Sequence, residues 1–405
     1  MHNHLKLFAT VAAAALTAAA PLHAATLKVE AGEGAQQRLQ EALITAAPGD
    51  TVQLGAGRFL LSDGLSLDVD RVTVRGAGME VTVLDFGAQS GAGEGLLVTS
   101  DDVTLRDFAV EDAKGDGVKS KGADRIVYYR VRVTWTGGAK ETNGAYGIYP
   151  VESTGVLIDG CAVQGASDAG IYVGQSKDIT VRNSVAQGNV AGIEIENSRN
   201  ALVANNFVTR NTGGILVFDL PNLPVMGGGN VLIEHNLIVG NDTPNFAPKG
   251  NIVAAVRRGT GIMIMANDGV TAQNNQLSDN PTAQVLVIAY PRPFTDARYN
   301  PLPRNVRIGA NDVARGGTDP QLPGKDQMLA AFGGALPPVL WDGLGVPAKT
   351  IAVDPSLGVL SLGLTQVGAA AETAQPRLAR LAKPVGALVR TSLGAPVALD
   401  ARLRP

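Results

Sequence analysis

Glu194 and Glu196 stand two residues apart in the segment GIEIEN, a spacing suited to acid–base chemistry. On an extended strand the two share a face, with Cα atoms about 6.6 Å apart. Paired carboxylates near that separation serve glycoside hydrolysis, and their mutual repulsion raises one pKa to give an acid and a base. The same oxygens could instead ligate Ca2+. Comparable segments supply further candidates: Asp116 and Lys119 in GDGVKS, Tyr149 in GIYP, Asp168 and Tyr172 in SDAGIYVG, and Asp219 in VFDLP. A hydrolase would draw its acid pair from Asp116, Asp168, Glu194, Glu196 and Asp219. A lyase acting on a uronate would need a base, Lys119 or Tyr149, and a cation, Lys121 or acid-bound Ca2+, to offset the enolate. Catalysis is expected from Lys119, Glu194 and Asp168. Substrate binding is expected from Tyr149, Tyr172, Glu196, Asp116 and Asp219. Tyr and Glu are also ordinary occupants of a half-exposed sheet.

These residues recur because the chain repeats. Glycine-led apolar units begin at Gly95, Gly117, Gly147, Gly170, Gly192, Gly214 and Gly261, at intervals of 22, 30, 23, 22, 22 and 47 residues. A second apolar unit follows most of them, as in ITVRNS from Ile179 and VLIEHN from Val231. Short strands with period-2 alternation and Asp, Asn or Gly turns, with no helix between them, describe the coil of a parallel β-helix. Such coils stack equivalent positions at about 4.8 Å. The column Cys161, Ser184, Asn206, Asn236, Asn275 is then a hydrogen-bonding ladder, with Cys161 a core thiol. His235, beside that column, reads as a turn residue. In the glycine-led units the third residues, Leu97, Lys119, Tyr149, Tyr172, Glu194, Leu216 and Met263, face outward together. The fifth positions add Lys121, Glu196, Phe218 and Met265. The apolar upper end of this face must be covered by loops or tail, or bind a partner. Extra residues between Arg130 and Gly147, Gly214 and Val231, and His235 and Gly261 all flank the glycine-led strand, so loops wall that face.

The rest of the composition bounds the setting. A start with Lys6, an apolar run from Leu7 to Ala20, Pro21 and the small pair Ala24 and Ala25 form a cleavable export leader over residues 1–25. The destination is the periplasm or the exterior, with no membrane insertion after cleavage. Lys6 is the only charge before Thr26, so cleavage takes the formal charge from −3 to −4, which gives nucleic acid no electrostatic hold. A lone cysteine excludes an internal disulfide. The expected organisation is leader 1–25, coil 26–300 with an N-terminal helical cap and first strands over 35–60, and an irregular Pro/Gly/Ala-rich cap and tail over 301–405. A monomer is expected.

The segments GDGVKS (115–120), NGAYGIYPVES (143–153), GASDAGIYVGQS (165–176), NVAGIEIENS (189–198) and NTGGILVFDLPNLP (211–224) resemble a family of bacterial secreted parallel β-helix repeat-containing proteins, over residues 35 to 290. The resemblance implies an all-β, right-handed β-helix solenoid of the pectin-lyase-like superfamily. That superfamily includes pectate and alginate lyases, polygalacturonase-type hydrolases, uronan epimerases and periplasmic proteins that assist copper-site assembly. The Asp-Pro-His-Asp signature of mannuronan epimerases is absent, and His235 is the only histidine after the leader. The expected ligand is therefore a polysaccharide or oligosaccharide, met by lyase or hydrolase chemistry. The alternative is a non-catalytic periplasmic binding or assembly protein.

Overall fold

The computed structural model describes residues 24–91, 93–369, 371–379, 381 and 397–404. The expected leader lies outside the described residues except for Ala24 and Ala25. Each complete turn carries three strands. One turn runs Ala169–Gly174, Lys177–Arg182, Val185–Gln187, and the next Ala191–Glu196, Arg199–Ala204, Phe207–Thr209. Every strand pairs in parallel with its counterpart one turn away, until the last pair, Val359–Ser361 with Arg377–Leu378, runs antiparallel. The third strand is only three residues long, too short for alternation to reveal in the sequence.

Among the described residues the glycine-led units lie within one sheet of twelve strands. Its inward column runs in register through Val118, Ile148, Ile171, Ile193, Ile215, Ile262, Val285, Val339 and Val359. Most of these side chains are wholly buried. Each burial contributes about 1.5–3 kcal/mol, so the stack itself is a large part of the stability. The leading glycine sits at a corner with no room for a side chain. A Cβ at residue 147 would lie 2.2 Å from Val163 Cγ1 and 2.6 Å from the Gly170 carbonyl oxygen. Equivalent collisions with third-strand side chains await a Cβ at Gly117 and Gly192.

Amide ladders run up the corners. Asn206 donates to Asn236 at 2.9 Å, Asn236 to Asn275 at 2.9 Å and Asn275 to Asn311 at 3.0 Å. A second ladder, absent from the sequence reading, joins Asn189, Asn211, Asn241 and Asn280 at 2.9–3.1 Å. Preceding the first ladder, Gly160, Asn183, Asn205, His235 and Asn274 all take positive φ. His235 is thus a left-handed turn residue. Cys161 is fully buried below the ladder, and burial pushes its thiol up to about 12.

The helix Ala35–Thr45 closes the lower end, burying Leu39 and Leu43. Gln40 meets the backbone of Ser66 in both directions, at 3.0 and 2.9 Å, and so satisfies the open edge of the strand Leu65–Leu67, which precedes the first glycine-led unit in the same sheet. At the upper end the coil continues beyond residue 300, where it was expected to stop: Val306–Ile308, Val339–Trp341, Ile351–Val353 and Val359–Ser361 add parallel rungs. Connections such as 289–305 and 314–338 interrupt the repeat there and hide its period. The segment 397–404 lies across the outside of the second-strand sheet, with Leu399 packed on Val127 and Leu157. Among the described residues no helix is long and apolar enough to cross a membrane.

Candidate functional site

The outer face of the glycine-led sheet is divided in two. Its upper part, Leu216, Phe218, Met263, Met265 and Leu286, is buried beneath Val253, Val256, Tyr290, Tyr299 and Met328. Loops therefore cover the apolar stretch. Its lower part carries the chemistry-bearing residues.

At the centre three tyrosine rings touch one another. Tyr146 lies 4.5 Å, centroid to centroid, from both Tyr149 and Tyr172, and Tyr149 meets Tyr172 edge-on at 4.9 Å. Tyr146 was missed in the sequence, and the corner explains why. Strict alternation would send the residue before the leading glycine inward with the isoleucines. The corner turns the glycine inward instead, and residue 146 outward. The in-register column at this position reads Asp116, Tyr146, Ala169, Ala191. The two alanines leave room for the tyrosine rings.

Below the rings Lys119 is held by carboxylates. Its Nζ lies 2.7 Å from Glu94 Oε1 and 3.6 Å from Asp116 Oδ2, and 5.0 Å from the centroid of the Tyr149 ring. Burial opposes the lysine charge, but the hydrogen bond to Glu94 and the field of Asp116 prevail and raise its pKa. Burial likewise opposes ionisation of Glu94, yet the lysine keeps that carboxyl below its ordinary value. Asp116 accepts from the Tyr146 backbone N–H at 3.3 Å. Burial pushes its pKa up to about 6, which Lys119 only partly offsets.

Above the rings three acids gather. Asp168, Glu194 and Glu196 are all buried. Asp168 rises to about 7, first through burial and then through the charge of Glu196, with hydrogen bonds from Asn251 and Tyr146 offsetting part of the rise. The Asn251 amide, 3.2 Å from Asp168 Oδ2, comes from the connection 240–259, so this loop shuts the acids from above. The Tyr172 hydroxyl donates to Glu196 Oε1 at 2.7 Å. Glu194 Oε2 is buried with no donor facing it. An ionised Glu194 would be an uncompensated buried charge, so burial, with the charges of Asp168 and Glu196 beside it, pushes this carboxyl well above its ordinary value.

The expected residues thus fall into three groups. Lys119, Asp116 and Tyr149 form the half-exposed lower edge, and Asp168, Glu194, Glu196 and Tyr172 the closed upper pocket. The outward face predicted for Glu194, Glu196 and Tyr172 is therefore not an open groove at that height, because the connection 240–259 folds over it. Asp219 stands apart: its carboxylate accepts the N–H groups of Gly227 and Gly228 at 2.9 and 3.1 Å and ties off the 220–228 loop. Lys121 is exposed outside the cluster. Among the described residues no group of three or more His, Cys, Asp or Glu is arranged to hold a metal ion.

No curated protein matches this sequence. Among solved structures, the A-module of the mannuronan C-5 epimerase AlgE4 of Azotobacter vinelandii aligns with 81% of this chain and 94% of its own, at 16% identity and a TM-score of 0.53. The corresponding AlgE6 module aligns with 81% and 92%, at 17% identity and 0.52. The N-terminal fragment of the bacteriophage Phi29 gene product 12 aligns with 80% and 60%, at 13% identity and 0.53. At such identities the likeness is one of fold. The family described as right handed beta helix region matches residues 72–223 and 127–295, more than half of the sequence, with the strands and registers described above. The chain belongs to the right-handed β-helix family.

Proposed function

We propose that this protein is exported and acts on a polysaccharide by acid–base hydrolysis at the lower half of the glycine-led sheet. The observation that carries the reading is the placement of Asp116 and Asp168 on either side of Tyr146, both held near neutrality, at about 6 and about 7. A general base and a general acid work best with pKa values near the working pH. Asp116, at the more open edge, is the base. Asp168, the harder to ionise, is the acid. Their backbones stand two rungs apart, about 10 Å. Tyr146 and Tyr149 supply aromatic surface for a sugar ring, and Lys119 fixes the lower edge. The same coil occurs in modules whose name places them on mannuronan, which supports the substrate class. Elimination is less well supported. Lys119 is bound to two carboxylates and keeps its proton, which makes it a poor base.

A second reading, non-catalytic glycan binding or assembly, is favoured by one observation: Asp168, Glu194 and Glu196 are all closed to solvent, the proposed acid among them. The test is incubation of purified protein with polyuronates and neutral glycans, following reducing ends and the ultraviolet absorbance of unsaturated products. Reducing ends without ultraviolet absorbance, abolished in Asp116→Asn and Asp168→Asn, are the expected result. Product from both variants at wild-type rate would overturn the assignment. Binding without product would favour the second reading.

A further inference from the structure

A different face of the coil carries a second site. On the second-strand sheet, near the helical cap, two cavities of about 530 and 370 Å3 both draw on Arg75. The larger is lined by Arg71, Arg75, Arg106, Arg402 and Arg404 over a floor of Thr51, Thr73 and Thr104, with Asp102 its only acid. The smaller adds Gln53, the glycine turn 76–78, Asp107 and Arg130.

The coil itself builds this surface. Thr51, Thr73 and Thr104 stack in register, as do Gln53, Arg75 and Arg106. Adjacent cations are thereby spaced one rung, about 4.8 Å, along the axis. Arg106 is oriented by Asp107 at 2.7 Å and by the Arg404 carbonyl at 3.1 Å, so the C-terminal segment forms one wall. Asp102 is shared by Arg125 and Arg402, and Asp107 by Arg106 and Arg130. Among the described residues Arg71, Arg75 and Arg404 make no side-chain ion pair, and they leave the cavity with unbalanced positive charge. One rung above Arg106 in register, the Tyr129 ring lies between the guanidinium groups of Arg106 and Arg130, 5.0 and 4.7 Å from its centroid.

We infer that this arginine-lined groove binds a carboxylate-bearing oligosaccharide. Guanidinium groups grip carboxylates through paired hydrogen bonds. The threonine hydroxyls suit sugar hydroxyls. A single inorganic anion would use one arginine pair and leave most of the volume and the threonine column idle. The site lies on another sheet from the acid–tyrosine cluster and does not depend on it. It would hold one stretch of an acidic glycan at a distance from any reacting one.

The test is calorimetric titration with tetragalacturonate, maltotetraose and inorganic phosphate, at low and moderate salt. The proteins are wild type, Arg71→Gln/Arg75→Gln and Glu194→Gln. Arg71 is exposed and Arg75 half-buried, both on the cavity wall, so their loss should leave the melting temperature nearly unchanged. Tetragalacturonate should bind wild type and Glu194→Gln alike, weaken with salt, and bind the double arginine variant at least tenfold more weakly; maltotetraose should not bind. Undiminished binding to the double variant would overturn the assignment. Binding lost only in Glu194→Gln would do the same while favouring the acid cluster as the glycan site. Phosphate binding as tight as tetragalacturonate would overturn it in favour of a simple anion site, and absence of any binding would also sink it.

Discussion

The hydroxyl of Tyr172 reaches Glu196 on the next rung, at 2.7 Å, because the residue between them is Gly174. Gly174 lies directly beneath Glu196 in register, and a Cβ there would stand 2.4 Å from the Tyr172 ring and hydroxyl. The tyrosine occupies the space that any other side chain would fill. It thereby supplies the donor that a buried carboxylate needs.

Removing that donor should be costly. Tyr172→Phe leaves Glu196 buried with one partner fewer and should cost about 1–3 kcal/mol. Gly174→Ala should produce a similar loss by displacing the ring. Chemical denaturation of the two single variants and the double variant checks this. Sub-additive losses are expected, because both act through one contact.

The acid cluster makes stability depend on pH in a defined direction. Asp116, Asp168, Glu194 and Glu196 all have raised pKa values in the folded state, chiefly through burial. A raised acid binds its proton more tightly when folded. Its stabilisation is complete below the unfolded value, 3.8 for Asp116 and Asp168, and is lost as pH climbs through about 6 and about 7. Glu194→Gln removes one such group, so it should raise the melting temperature at pH 8 relative to wild type and flatten the profile between pH ~5 and ~8. Melting curves across that range check it; a steeper profile would contradict the raised Glu194 carboxyl.

Hydrolysis at this site should follow a narrow bell. The rate should fall on the acid side as Asp116 takes up its proton, near 6, and on the alkaline side as Asp168 loses its own, near 7. Asp116→Asn should erase the acid limb and Asp168→Asn the alkaline limb, each with a loss on the order of 10²–10⁴-fold. Initial rates against pH for the three proteins provide the measurement.

The corner glycine should be intolerant. Gly147→Ala places a methyl 2.2 Å from Val163 Cγ1 and 2.6 Å from a carbonyl oxygen, and should destabilise by about 1–3 kcal/mol or more. Adding Val163→Ala relieves the side-chain collision but not the backbone one, so rescue should be partial. Thermal unfolding of both variants distinguishes this from a flexible corner, where the second change would only add damage.

The ladder interior is equally exacting. Asn236 donates to Asn275, Val203 and Glu234 and accepts from Asn206. Asn236→Ala orphans several buried polar groups and should cost more than about 2 kcal/mol. Asn206→Ala, one rung lower, should couple to it in a double-mutant cycle.

Much of this protein is legible in its sequence. A coil repeats its environment every turn, so periodic glycines, isoleucines and asparagines announce the solenoid, its inward column and one ladder. Local alternation likewise placed Lys119, Tyr149, Tyr172, Glu194 and Glu196 on one outer face, and Asp116 and Asp168 where their strands begin. Tertiary structure decided the rest, for three physical reasons. The corner at each leading glycine breaks the period-2 alternation, which turns Tyr146 into the cluster against the simple rule. The connection 240–259 brings Asn251 onto Asp168, 83 residues away in sequence, and closes the face that alternation left open. The returning segment 397–404 supplies Arg402 and Arg404 to arginines some 300 residues earlier, a juxtaposition that no repeat encodes. Where a residue's surroundings repeat with the coil, the sequence states them; where a connection or terminus folds back across the coil, only the packed structure does.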